Sequence, residues 1–239
     1  MSEFLLGDSV DVEDDIERLA EADIRLAHFQ ADQIRYATTY FGYPEVPENN
    51  DLSTLGVSGL AKLHLNNVGD PWVHGSAKMH TKEFEREALK FMADIYGIDD
   101  NYWGYTTSGG TEGNLYGMHM NREFFGSKNQ SSVFLHSTSS HYSIPKNARL
   151  LQLKTRVVAC DRTGEMDYED LRRVVHEIAE ESAERPGLSI AVNIGTTMTG
   201  AIDQVSKVTE VLNKLQWPSE KVLIHADAAL LGLIYPFVE

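Results

Sequence analysis

The chain has 239 residues, room for one large domain or one and a fraction, and its 42% hydrophobic and 24% charged content is that of a globular protein. Lys and Arg number 21 against 36 acidic residues, a formal charge of -15; this argues against nucleic acid or an anionic membrane surface as a partner, since both need clustered positive charge. Cys160 is the only cysteine, which excludes an internal disulfide and a metal-thiolate site and points to a reducing compartment. No run approaches the ~20 apolar residues of a membrane span, and the acidic N-terminus lacks the basic start and apolar core of a signal peptide, so the cytoplasm is the expected location.

In chain order, residues 8–23 hold an acidic stretch that reads as a solvated helix face or a mobile arm, within a helical pattern over 12–40. Residues 41–59, with Gly42, Pro44, Pro47 and Asn49-Asn50, read as loop. The spacing of Phe84, Ala88, Phe91 and Ile95 predicts an amphipathic helix over 82–96, with Thr81 as its N-cap. A short apolar run then ends at Ser108-Gly109-Gly110-Thr111, and a helical pattern follows at once. Strands are expected at Ser132–His136, Arg156–Cys160, Leu188–Ile194 and Val222–His225. Helices are expected at Tyr168–Ala183 and Gln204–Leu215. This alternation predicts an α/β fold with a mostly parallel sheet and helices on both faces, in which ligands sit beyond the carboxyl ends of the strands.

Four segments fall at those positions. Ser108-Gly109-Gly110-Thr111 combines two glycines with the unpaired N–H groups of a helix start, an anion cradle. No Lys follows for a mononucleotide P-loop, and the spacing does not fit a dinucleotide fingerprint; a glycine turn that merely packs a helix on a strand is the plain alternative. The others are Ser139-Ser140-His141-Tyr142-Ser143, Asn193-Ile194-Gly195-Thr196-Thr197 and His225-Ala226-Asp227-Ala228-Ala229. A lone His after a strand is more often an ordinary polar residue than a catalyst, and Gly-Thr-Thr is commonly just a turn. Asp227 is harder to dismiss, because a carboxylate at the end of a core strand is costly unless paired. Its small neighbours suggest something flat. A phosphorylated ring with a basic pyridine nitrogen, pyridoxal phosphate, meets all four requirements.

These segments, TSGGTEGN, HYS..K, NIGTT..GA.D and HADAA..G...PF, resemble those of the group II pyridoxal-phosphate-dependent amino acid decarboxylases, the bacterial histidine and plant serine decarboxylases in particular. The resemblance extends to Gly42-Tyr43-Pro44, Asn66-Asn67-Val68-Gly69-Asp70-Pro71 and Tyr102-Trp103-Gly104-Tyr105, and covers roughly 38–239. It implies the large domain of pyridoxal-phosphate fold type I, with a helical arm and loop over 1–60 and an incomplete cofactor-binding domain over 61–239. It implies pyridoxal 5'-phosphate as cofactor, an L-amino acid (histidine or serine) as substrate, and a homodimer. By the same resemblance Ser108, Gly109, Gly110 and Thr111 would bind the phosphate. His141 would stack on the ring, Asp227 would pair with its nitrogen, Ala229 would pack on its face, Thr196 would act beside the substrate, and Asn67 would lie near the substrate entrance.

One departure stands out. The family's Schiff-base lysine lies beyond the PFV segment, and no lysine here has that context: Lys146 matches a different family lysine, and Lys221 precedes its strand. The small C-terminal domain is also expected to be missing. A truncated sequence, a split enzyme completed by a full-length or C-terminal chain, and a non-catalytic subunit that binds a homologue are the open explanations.

Overall fold

The computed structural model describes residues 12–37, 63–75, 78–127 and 131–238. The expected loop over 41–59, the Gly42-Tyr43-Pro44 motif and residues 38–40 of the first helix lie outside the described residues. Among the described residues no helix is long and apolar enough to cross a membrane. The chain divides by its internal contacts into Met1–Thr106 and Thr107–Glu239, whereas the sequence suggested a division at 60.

In the first unit, helix α1 (Val12–Ala37) packs on α2 (Lys82–Ile95): the rings of Phe29 and Phe84 meet edge to face at 4.8 Å, and Arg25 bridges Glu87 at 2.7 Å. This pairing of elements is why residues 63–106 group with the arm. Thr81 stands at the α2 N-terminus but its side chain makes no cap bond. The Asn67 carboxamide instead holds Thr81 itself, donating to Thr81 Oγ1 at 2.8 Å and accepting the Thr81 N–H at 2.7 Å. The expected apolar stripe of α2 is only partly covered within this unit, for Phe91 is 61% exposed. Lys82, by contrast, is buried and donates to the carbonyls of Asp70 and Val73.

The second unit is the α/β layer structure. Four parallel strands, β1 (Ser132–Ser137), β2 (Thr155–Val158), β3 (Gly187–Asn193) and β4 (Val222–Asp227), lie in the order β2-β1-β3-β4. Helices α3 (Gly110–Ser127) and α4 (Ser143–Leu150) contribute to one apolar cluster, in which Met118, Ile144 and Ala148 meet Phe134 and Ala191 of the sheet. Helices α5 (Tyr168–Glu180) and α6 (Val205–Lys214) contribute to the other, in which Leu171, Val174, Val208 and Leu212 meet Leu135, Ile190 and Val192. Alternate residues of one strand thus serve opposite faces, as the two-residue period of a strand requires. Every residue of the central β3 is buried, the pattern of a strand covered on both sides.

Boundaries differ from the periodicity by one to three residues. The second strand stops at Val158, and Cys160 instead forms an antiparallel bridge with Met166. The Asp161 carboxylate causes this turn by accepting from the N–H groups of Thr163 and Glu165. Helix α5 begins at a true cap, with the Asp167 side chain accepting from the N–H groups of Glu169 and Asp170.

Candidate active site

Because all four strands run parallel, the segments following β1, β3 and β4 emerge at one edge of the sheet. They meet the start of α3 around a cavity of about 320 Å³, at the small end of the range for ligand sites. Gly110, Thr111, His141, Thr196, Asp227 and Ala229 all line it. Among the lining residues Asp227 is the only acid, and no lysine or arginine takes part. A larger cavity of about 590 Å³ lies within the first unit, against Phe29, Gln33 and Phe84, and contains none of the strand-end residues.

The cradle is built as a helix start. The Gly109 carbonyl accepts from the N–H groups of Glu112 and Gly113, leaving those of Gly110 and Thr111 outside the helical ladder. Gly110 must be glycine for a steric reason: a Cβ there would stand 2.6 Å from the Ala229 methyl. Asn147 on α4 donates to the Thr111 carbonyl at 3.0 Å and ties the first turn down. Ser108 and Gly109 do not line the cavity. The Ser108 N–H and hydroxyl both donate to the Glu112 carboxylate, at 2.9 and 2.5 Å, across the first turn of the helix. Asn67 belongs to the other unit, where its side chain serves the start of α2.

Asp227 ends β4. One carboxylate oxygen accepts from Asn114 Nδ2 at 2.8 Å and the other from the Ala229 N–H at 3.3 Å. His141 rests at 4.2 Å from the Tyr142 ring, and its Nδ1 lies 2.8 Å from Ser143 Oγ. Thr196 is buried, and its hydroxyl is used within its own turn, accepting from the Ala201 N–H at 3.1 Å and pairing with Thr199 at 2.8 Å.

Three residues of the site escaped the sequence reading. Asn114, on the helical turn after Gly110, touches Asp227, Ser143 and His225. Asn193 lines the cavity and is itself held by the buried Asp203, whose carboxylate accepts the Asn193 N–H and side-chain amide. His225 fits against Gly117, where a Cβ would stand 2.6 Å from its ring. All three lay inside quoted motifs, but nothing local separates a motif letter that touches a ligand from one that holds its neighbour.

Burial pushes the His225 imidazole below the ordinary histidine range, against the opposing charge of Asp227. His136 is lowered by burial too, against its bond to the Ser137 carbonyl. Both are therefore neutral in the fold, while the unfolded chain takes up a proton near pH ~6.5. Below that point the unfolded state binds more protons, so stability is complete above it and is lost as pH falls toward the lowered folded values. Urea midpoints are expected to drop between about pH 7 and about pH 5, and less so in His225→Gln, which keeps a donor for Asn114. An identical slope in that variant would show that His225 contributes nothing.

Chemically, the cavity offers N–H groups outside the helical ladder, a fixed carboxylate and a flat imidazole. That arrangement suits a planar ligand carrying an anionic group and a basic ring nitrogen.

A model of the pyridoxal-dependent decarboxylase conserved domain matches residues 57–239. A histidine decarboxylase of Acinetobacter baumannii (strain AYE) is 38% identical over 194 residues, covering 81% of this chain and 48% of the relative. That of Pseudomonas entomophila (strain L48) is 35% identical over 223 residues, covering 92% and 52%. The chain thus spans about half the length of the curated relatives it matches. Among solved structures, L-methionine decarboxylase from Streptomyces sp. 590 superposes with a TM-score of 0.66 over 96% of this chain and 57% of that one, at 21% identity. Mouse CSAD gives a TM-score of 0.53 at 29% identity, over 63% and 32%.

Proposed function

The chain belongs to the pyridoxal-dependent decarboxylase family, and from that membership we propose that it forms the cofactor cavity of an enzyme that releases CO2 from an L-amino acid. The cofactor is pyridoxal 5'-phosphate. The observation that carries the reading is the single cavity bounded by the Gly110-Thr111 helix start and by Asp227.

When bound, the cofactor supplies an aldehyde that captures the substrate amine and a ring that draws the electron pair of the breaking Cα–carboxylate bond. The N–H groups of Gly110 and Thr111 receive its phosphate, helped by the positive end of the α3 dipole. Ser108 and Gly109 shape the turn that presents them. Asp227 accepts the hydrogen of the ring nitrogen and keeps it in place. His141 and Ala229 would hold the ring of the cofactor, and Thr196 would lie beside the substrate. Asn67 is assigned to the substrate entrance on resemblance alone.

Histidine is the proposed substrate, because the relatives at 34–38% identity are histidine decarboxylases. No lysine lines the cavity among the described residues; we propose that the amine anchoring the cofactor aldehyde comes from a further segment or a second chain, and that the working enzyme is a dimer.

The test supplies pyridoxal phosphate and a panel of amino acids to the protein together with its completing chain, and follows CO2 and amine. Histamine from histidine is the expected product. Serine as the preferred substrate would overturn the specificity, and absence of CO2 from every amino acid would overturn the activity in favour of a binding subunit. Borohydride fixing the cofactor to one of this chain's own lysines would overturn the assignment of the anchor.

A further inference from the structure

We propose that Asn114 is the positioning residue of this cavity: its one carboxamide orients Asp227 and, through Ser143, fixes His141 as the tautomer with hydrogen on Nε2. The functional consequence rests on the pyridoxal phosphate reading above; the tautomer does not.

The inference follows from counting hydrogens. Asn114 is 4% exposed, and each of its polar atoms is used. Nδ2 lies 2.8 Å from Asp227 Oδ2 and 3.0 Å from Ser143 Oγ, and Oδ1 lies 2.8 Å from His225 Nε2. The carboxamide cannot be turned over, because its oxygen would then face a carboxylate oxygen. Its two hydrogens therefore go to Asp227 and Ser143, and its oxygen must receive a hydrogen from His225 Nε2.

Ser143 is fully buried and opens α4. Its oxygen already accepts from Asn114, so its single hydrogen needs an acceptor, and His141 Nδ1 lies 2.8 Å away. The Ser143 backbone N–H reaches the same nitrogen at 3.3 Å. Two donors converge on Nδ1, which must be bare, and the ring hydrogen of His141 belongs on Nε2. A hydrogen on Nδ1 would strand the buried hydroxyl hydrogen of Ser143 and oppose the backbone N–H.

His141 thus enters the cavity as a donor, and Asp227 as an acceptor. Both assignments are set by one group, placed one helical turn after Gly110 and so on the same face of α3 as the cradle. The helix that presents its N–H groups to an anion also sets the hydrogen-bonding sense of Asp227 and His141.

The test is a long-range proton–nitrogen correlation spectrum of the 239-residue chain labelled with ¹⁵N-histidine, recorded first without cofactor. His141 is expected to show hydrogen on Nε2 alone. In Ser143→Ala the ratio of the two tautomers is expected to move toward Nδ1–H by roughly tenfold, and in Asn114→Ala the His141 and His225 signals are both expected to move. A wild-type His141 carrying its hydrogen on Nδ1 overturns the proposal without any variant having to fold. So does a Ser143→Ala spectrum that keeps the wild-type His141 pattern. Adding pyridoxal phosphate then separates the two readings. A chain with the expected tautomer that leaves the cofactor's absorbance unchanged even in the presence of its completing chain sinks the cofactor assignment, whereas a cofactor that binds beside an Nδ1–H His141 sinks only the relay.

Discussion

Asp227→Ala is expected to slow the assembled enzyme by on the order of 10² to 10³-fold, the loss typical of removing one preorganised electrostatic contact. The reason is local. Asp227 is the only acid among the cavity's lining residues, so no other carboxylate there can replace its charge. Without it a bound pyridine nitrogen has no charged partner to hold its hydrogen, and the ring draws electrons less strongly. The fold should survive, because the carboxylate is half-buried and its loss frees one hydrogen of Asn114 and the Ala229 N–H beside an open cavity. Asp227→Asn separates charge from shape: it retains an acceptor for Asn114 and should be slowed comparably. The checks are turnover with saturating cofactor and the pH titration of the bound cofactor's absorbance. Full rate in either variant would remove Asp227 from the mechanism.

Asp203→Ala is expected to cost about 3–5 kcal/mol of stability, a large part of the ~5–15 kcal/mol that a domain possesses. Asp203 is 2% exposed, and its carboxylate is the acceptor for three donors: the Met166 N–H at 2.7 Å, the Asn193 N–H at 2.8 Å and Asn193 Nδ2 at 2.7 Å. Each donor stranded in the interior costs about 1–3 kcal/mol. Asp203→Asn should cost less, since its oxygen can still serve Asn193 while its amide confronts the Met166 N–H. Urea denaturation measures both, and a loss below about 1 kcal/mol for Asp203→Ala would show that the three bonds are readily replaced. The effect should reach the cavity as well, since Asn193 also donates to Ser137 Oγ at the end of β1.

Much of the layer structure was legible because it is written in local periods. Val208 and Val211 recur at helical spacing and are buried on α6, and the strand over 187–193 lies within one residue of its apolar run. The residues that converge at the cavity were legible through motifs: Gly110, His141 and Asp227 each follow a recognisable break in the pattern. What joins them was not. The Asn114–Asp227 bond spans 113 residues and the Asn114–Ser143 bond 29, and no window of sequence records such pairings. Thr81 shows the same limit on a smaller scale. Its type and place suit a cap, yet its hydroxyl is instead engaged by Asn67, from a loop 14 residues earlier. The engagement of the Ser108 hydroxyl by Glu112, one turn further along the same segment, is equally absent from any local pattern.

The contact between Gly110 and the Ala229 methyl makes these two positions mutually dependent. A library randomised at either one alone should return almost nothing at 110 except glycine, while one randomised at both should recover alanine or serine at 110 chiefly in clones that have surrendered the methyl at 229. Such paired recovery would read the spacing between α3 and the residues after β4 directly from selection counts.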